Sequence, residues 1–402
     1  MIIQSGIKSS ITIFILVLLL TWSCSAPKRM ALPEAYLEEA EVVGMPGVRD
    51  WGHKRSELFQ EDLVKGLRQT LEYDPDVFSN ENSTIDALAI SGGGSNGAFG
   101  VGLLSGWADS GTRPTFSLVT GISTGALIAP FALLGPDYEE PIIRMYTTVT
   151  TKEVFKQRSF LSVLGGSDSM ADPSPLADII AGFIDEEFLA AIAKAYSEGR
   201  RLLIGTTNLD ARKLVIWNMG KIASIGTPEA LKLFRDIMLA SSSIPVAFPP
   251  VFVEVEAGGN KYDEMHVDGG VVTEVFFYGF TIDIDEALDT IGVTEKPKAR
   301  VFIIRNNQIE PPYEQVNRSI LSIADKSLSN LTTTQGVGDL FRIYLIAQKD
   351  DIDFNLAFIP ESFIPNPKEA FDPVEMKRLY NLGYEMAKNG YPWQKYPPMY
   401  NQ

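Results

Sequence analysis

Residues 116–134 read Phe-Ser-Leu-Val-Thr-Gly-Ile-Ser-Thr-Gly-Ala-Leu-Ile-Ala-Pro-Phe-Ala-Leu-Leu, with the pentad Gly121-Ile122-Ser123-Thr124-Gly125 at the centre. A strand-like run, Phe116–Thr120, enters the pentad and a helical run, Ala126–Leu134, leaves it. In that setting G-x-S-x-G is the pattern of a sharp strand-to-helix turn that lifts a serine hydroxyl to the edge of a sheet. The glycines are required by crowding, because strand and helix must approach closely at the turn. A glycine-rich turn that merely contains serine has the same spelling, so the surroundings decide.

Upstream, Ser91-Gly92-Gly93-Gly94-Ser95-Asn96-Gly97 closes a strand-like run, Asp86–Ile90, and opens a helical one, Ala98–Asp109. Backbone N–H groups of Gly92, Gly93, Gly94 and Ser95 at a helix start form a nest suited to an oxyanion. Gly92-x-Gly94-x-x-Gly97 also spells a dinucleotide fingerprint. That fingerprint needs an acid at the end of the next strand, which instead ends Val119-Thr120-Gly121. Downstream, His266-Val267-Asp268-Gly269-Gly270 places Asp268 at a strand end. His266 and Asp268 stand two apart and so share one strand face, which leaves both as candidates to approach Ser123.

Outward from these motifs, short apolar runs alternate with amphipathic ones. Strands are expected at 201–207, 213–217, 265–267, 299–305 and 354–358, and helices near 56–71, 228–241, 315–348 and 373–388. This alternation predicts an α/β fold around a mostly parallel, buried sheet. The expected organisation is a polar tether and helical arm over 24–80, a catalytic core over 81–310 and a helical extension over 311–402 packed on that core. The aromatic run Glu274-Val275-Phe276-Phe277-Tyr278-Gly279-Phe280 reads as a core strand, and the amphipathic stretch 316–331 as a helix packed against the sheet.

Counts narrow the chemistry. The chain of 402 residues holds one cysteine, Cys24, and two histidines, His53 and His266. A disulfide framework and a His- or Cys-built metal site are excluded, and no metal or cofactor is expected. Lys and Arg number 35 against 51 Asp and Glu, a net charge of −16 that argues against a nucleic-acid partner. Residues 1–23 carry one charge, Lys8, and the apolar run Ile11–Leu20, too short to span a bilayer and fitting a signal-peptide core. Cys24 directly after it resembles the lipidated cysteine of bacterial lipoproteins, with Leu20 one residue farther from it than that pattern usually has. Such a resemblance implies export and an N-terminal lipid anchor in the membrane, and Ser25 after the cysteine implies the outer membrane.

Together the glycine loop 92–97, the elbow 121–125 and the pair Asp268-Gly269 resemble the patatin-like phospholipase family. Ala240-Ser241-Ser242-Ser243-Ile244-Pro245 and Asp172-Pro173-Ser174-Pro175 add to the likeness, and the blocks keep the family's order over about residues 85–310. The resemblance implies a three-layer α/β/α fold and a lipid acyl hydrolase with Ser123 as nucleophile, Asp268 as general base and the glycine loop as oxyanion hole. It also implies a lipid or acyl-ester substrate. Asn96 departs from the family, which usually carries Arg or Lys there. The alternatives are a non-catalytic envelope lipoprotein that uses the fold for binding, and a dinucleotide-binding protein. The sequence leaves the oligomeric state open.

Overall fold

In the computed structural model, residues 29–78, 83–157, 169, 171–278, 281–293 and 297–400 are described. Residues 1–23 and Cys24 lie outside them. Continuous apolar runs form the parallel centre of one sheet, as expected for strands covered on both faces. Strands β1 (Glu41–Val42), β2 (Arg49–Trp51), β3 (Thr84–Ile90), β4 (Leu118–Ile122), β5 (Lys156–Gln157) and β6 (Ala171–Asp172) are followed by β7 (Arg201–Asn208) and β8 (Lys213–Asn218). The remaining strands are β9 (Val251–Ala257), β10 (Asn260–Asp268), β11 (Lys298–Arg305) and β12 (Ile352–Phe358). All but the β5–β6 pair form a ten-stranded sheet in the order β1-β9-β10-β7-β4-β3-β11-β12, with β8 on β7 and β2 on β8. The run β12-β11-β3-β4-β7 is parallel, and every pairing beyond it is antiparallel.

The described helices are α1 (Glu57–Tyr73), α2 (Gly97–Asp109), α3 (Thr124–Leu134), α4 (Glu140–Thr148), α5 (Thr151–Val154) and α6 (Ser174–Phe183), then α7 (Glu186–Ser197), α8 (Met219–Ile225), α9 (Pro228–Ser241), α10 (Ile284–Thr290), α11 (Ile320–Lys349) and α12 (Pro373–Lys388). Serine caps α1, where Ser56 Oγ accepts from Phe59 N at 3.0 Å, and Asp372 caps α12 in the same way through Val374 N at 2.9 Å. Helices α2 and α3 are buried on nearly every side, which explains why their sequences are apolar throughout rather than striped.

Four expectations change. Residues 29–55 are no tether: β1 pairs with β9, β2 pairs with β8, and Val48 and Trp51 are buried. Arg29 pins the entering chain through Asp263 at 2.7 Å and Asp210 at 2.5 Å. Residues 311–402 are no helical appendage either, because β12 extends the parallel sheet beside β11. The aromatic run is buried at Phe276, Phe277 and Tyr278 but forms a loop, not a strand, over 274–278; Gly279 and Phe280 lie outside the described residues. The first half of α11 does not pack on the sheet: Ile320, Ile323, Leu328 and Leu331 are exposed, and burial begins near Leu340.

Helices α2 and α12 meet through glycines. A methyl group on Gly102 would stand 2.0 Å from Tyr380 O, and one on Gly106 would stand 2.1 Å from Tyr384 O. Backbone carbonyls cannot step aside, so the helices would have to separate. Gly102→Ala and Gly106→Ala are each expected to cost about 1–3 kcal/mol, read as a lowered Tm. Gly182→Ala, on an open helix face, is expected to leave Tm unchanged or raise it; equal Tm values for all three would contradict this packing.

Candidate active site

Strand register brings the two predicted residues together. Ile122 of β4 pairs with Gly205 of β7, and Asp268 of β10 pairs with Thr206 of β7. Residues 203–208 pair with β8 on the other edge of β7. Strands β4 and β10 therefore share one edge of β7, running toward each other and ending at adjacent residues. Ser123 follows the last residue of β4, and Asp268 is the last residue of β10. The head-on junction has no room for side chains: a methyl group on Gly205 would lie 2.4 Å from Ile122 Cδ1, and one on Gly269 would lie 2.7 Å from Gly205 O.

Ser123 Oγ donates to Asp268 Oδ2 at 2.6 Å, and Gly270 N donates to Asp268 Oδ1 at 2.7 Å. Ser123 holds φ 54° and ψ −122°, a conformation that costs an L residue about 1–3 kcal/mol. Its neighbours enforce it: a methyl on Gly121 would lie 2.3 Å from Gly125 O, and one on Gly125 would lie 2.1 Å from Ile90 O. The serine block after α9 clamps the pair. Ser123 N donates to Ser241 Oγ at 2.9 Å, Ser241 Oγ donates to Gly205 O at 2.7 Å, and Asp268 N donates to Ser243 O at 3.0 Å. Ser123 is 6% exposed and Asp268 5%. Burial pushes the Asp268 carboxyl up to about 6, against the hydrogen bonds from Ser123 and Gly270 that favour its charged form.

The glycine loop lies against this pair. A methyl on Gly92 would stand 3.2 Å from Ser123 Cβ, and Thr124 Oγ1 donates to Gly94 O at 2.7 Å. Gly92 N donates to Glu274 O at 3.2 Å, so Gly92 serves the loop's shape rather than offering a donor. No hydrogen bond among the described residues occupies the N–H of Gly93, Gly94 or Ser95. Gly93 has φ 150°, and a methyl there would stand 2.5 Å from Asn306 O, so only glycine fits. Asn306, fully buried, holds the loop: its N and Nδ2 donate to Ser91 Oγ and O at 2.9 and 3.0 Å, and its Oδ1 accepts from Gly100 N at 3.1 Å. Asn96, where the family's cation is absent, bonds Asn307 Oδ1 at 3.2 Å.

His266 does not join the pair. Its Nδ1 meets Thr206 Oγ1 at 2.9 Å and its Nε2 meets Glu264 Oε2 at 3.1 Å. Trp217 Nε1 also donates to Thr206 Oγ1, at 2.8 Å, and Arg49 bonds Glu264 at 3.0 Å. Burial is the largest influence on His266 and lowers its proton affinity, leaving a neutral ring inside a polar network of the sheet. Asn306, Glu274 and the roles of Ser241 and Ser243 were not singled out in the sequence. A polar Arg305-Asn306 step at the end of an apolar strand and an acid six residues after Asp268 are the signals that stood there. Among the described residues no group of three or more His, Cys, Asp or Glu is arranged to hold a metal ion.

Residues 88–280 match the family model of patatin-like phospholipases. No curated protein matches the sequence significantly. Among solved structures the chain is similar to VipD from Legionella pneumophila, at 12% identity and TM-score 0.40, over 76% of this chain and 66% of that one. It is similar to ExoU from Pseudomonas aeruginosa, solved in complex with SpcU, at 12% identity and TM-score 0.32, over 76% of this chain and 52% of that one. Human GIVD cytosolic phospholipase A2 aligns at 10% identity and TM-score 0.33, over 83% of this chain and 56% of that one. The match thus covers less than two thirds of each of these chains. The match to the model of patatin-like phospholipases spans the glycine loop, the elbow and Asp268-Gly269, the same blocks that meet at the Ser123–Asp268 hydrogen bond.

Proposed function

We propose that the protein is a serine acyl hydrolase that cleaves carboxylic esters of lipids through a Ser123–Asp268 dyad and an acyl-enzyme. The observation that carries this reading is the 2.6 Å hydrogen bond from Ser123 Oγ, at a strained elbow, to the buried Asp268 carboxylate. Asp268 accepts the hydroxyl proton as Oγ attacks the ester carbonyl, then returns it to the leaving alcohol. Water attacks the acyl-enzyme with Asp268 again as base. The open N–H groups of Gly93, Gly94 and Ser95 receive the oxyanion, and the start of α3 behind Ser123 adds a favourable dipole. Burial supports Asp268 as base, because a carboxyl raised to about 6 accepts a proton more readily than an ordinary one at 3.8. Ile244, Val246 and Val271, partly exposed beside Ser243 and Gly270, give the surroundings of the site an apolar character suited to acyl chains.

Export as a lipoprotein belongs to the same proposal, with Cys24 as the lipidated residue, the outer membrane as destination and the membrane as the partner surface. Its support is the apolar run 11–20 followed by Cys24 and Ser25. Among the described residues no helix is long and apolar enough to cross a membrane.

Hydrolysis of short-chain p-nitrophenyl esters is expected to fall at least about a thousandfold in Ser123→Ala and Asp268→Asn, while His266→Gln stays within about tenfold of the parent. The parent rate rises with pH through about 6, since the base must lose its proton to act. Loss in His266→Gln with retention in Asp268→Asn would overturn the dyad, and an inactive parent that binds lipid would favour the non-catalytic reading. In cells fed radiolabelled palmitate, Cys24→Ala is expected to abolish labelling and release the protein from membranes; unchanged labelling would refute the anchor.

A further inference from the structure

Glu274 sits six residues past Asp268, on the loop that follows the strand end, and is 5% exposed. Its backbone is fixed on two sides: its N–H donates to Asp339 Oδ2 at 2.8 Å, and its carbonyl accepts from Gly92 N at 3.2 Å. Its side chain faces the dyad across two glycines. A methyl on Gly92 would stand 2.8 Å from Glu274 Oε1 and 3.2 Å from Ser123 Cβ. One on Gly270 would stand 2.8 Å from Glu274 Oε2 and 3.0 Å from Asp268 Oδ1. Among the described residues no hydrogen bond or ion pair reaches the Glu274 carboxyl.

The groups around it set its charge. Arg305, fully buried, donates Nη2 to Thr333 O at 3.0 Å, while its Nε and Nη1 have no partner. It lies close by, since a methyl on Gly336 would stand 2.4 Å from Arg305 Nη1 and 3.0 Å from Glu274 Cγ. Asp339 on α11 bonds Arg342 Nη1 at 2.8 Å. Asp268 and Asp339 as anions and Arg305 and Arg342 as cations already balance, so a fifth charge on Glu274 would be in excess. Two carboxyls confined in one dry space do not both ionise readily. Burial first, and then the Asp268 anion, hold the Glu274 carboxyl well above the usual carboxylate range, with Arg305 opposing and Asp339 reinforcing.

We propose that Glu274 is a positioning residue of the site, whose neutral carboxyl lets Asp268 alone carry the charge and whose ionisation sets the alkaline limit of the reaction. The inference rests on the hydrolase reading above. Glu274 transfers nothing during turnover: the Ser123 proton goes to Asp268, and the oxyanion forms on the substrate. When Glu274 loses its proton, that oxyanion must form beside a second buried anion, and the rate falls by about tenfold or more.

The test is the pH profile of kcat/KM for the full chain and for Glu274→Gln, which is always neutral at nearly the same size. The parent is expected to rise through about 6 and to fall at alkaline pH; the variant keeps the acid limb at the same midpoint and loses the alkaline one. An alkaline limb shared by both, a parent flat to about pH 10, or an acid midpoint about one unit lower in the variant would overturn the proposal. If the Gln variant does not fold, Glu274→Asp keeps the ionisation on a shorter side chain and displaces the alkaline midpoint, whereas a midpoint left in place contradicts the role. Carbon-13 NMR of protein labelled at glutamate Cδ reads the same group without turnover. Parent minus variant at pH 7 is expected to give one protonated carboxyl resonance, and an ionised one refutes the idea. That arm stands even if esters are not cleaved, so failure of the hydrolase reading and failure of this one are told apart.

Discussion

Strands β4 and β10 end against each other on one edge of β7, and the site depends on that collision. A parallel strand arriving from below and an antiparallel strand arriving from above cannot both continue. Their last residues, Ile122 and Asp268, oppose consecutive residues of β7, so the residues that leave the sheet there are forced into contact. Ser123 turns into α3 and Asp268 turns into the Gly269-Gly270 step. The 2.6 Å hydrogen bond is a product of register rather than of long, searching side chains. Rigid elements on both sides fix it, which is the preorganisation that proton transfer requires.

The antiparallel half of the sheet gains its purpose from this. Strands β9 and β10 form a hairpin that delivers Asp268, and β1 pairs with β9 at its far edge. Arg29 fastens the same hairpin through Asp263. On the parallel side, β11 ends at Arg305 and is followed by Asn306, and the two side chains reach the Glu274 pocket and the glycine loop respectively. Helix α11 connects that pocket, through Thr333, Gly336 and Asp339, to an exposed apolar stretch beginning at Ile320.

Much of this was legible in the residues. Continuous apolar runs identified the parallel strands, and the end of α12 at Lys388 follows from Asn389-Gly390. The glycines at 92–97, 121, 125, 269 and 270 marked the crowded turns because crowding leaves few alternatives. What escaped was long-range or half-solvated. Strand β9 alternates Val253, Val255 and Ala257 with Glu254 and Glu256, the period-2 signal of a half-solvated strand rather than the continuous apolar run of a buried parallel one. Strands β1 and β2 are two and three residues long and owe their conformation to partners more than 150 residues away. Polarity and the breaks at Pro33 and Pro46 suggested a tether over 25–55, yet the apolar Val48 and Trp51 enter the core. His266 was expected on the face of Asp268, within approach of Ser123, but its ring bonds Thr206 and Glu264 instead. Glu274 carried no motif, because its meaning comes from a buried neighbour at 268.

The central claim is that Asp268 activates Ser123. Its most direct measurement is the rate at which a fluorophosphonate modifies the protein, followed by intact mass and peptide mapping across pH, in the parent and in Asp268→Asn. The dyad predicts a single adduct on Ser123, formed faster as pH rises through about 6, and slowed at least about a hundredfold in Asp268→Asn. An adduct on another residue, or a Ser123 adduct formed at the same rate without the Asp268 carboxylate, would contradict it.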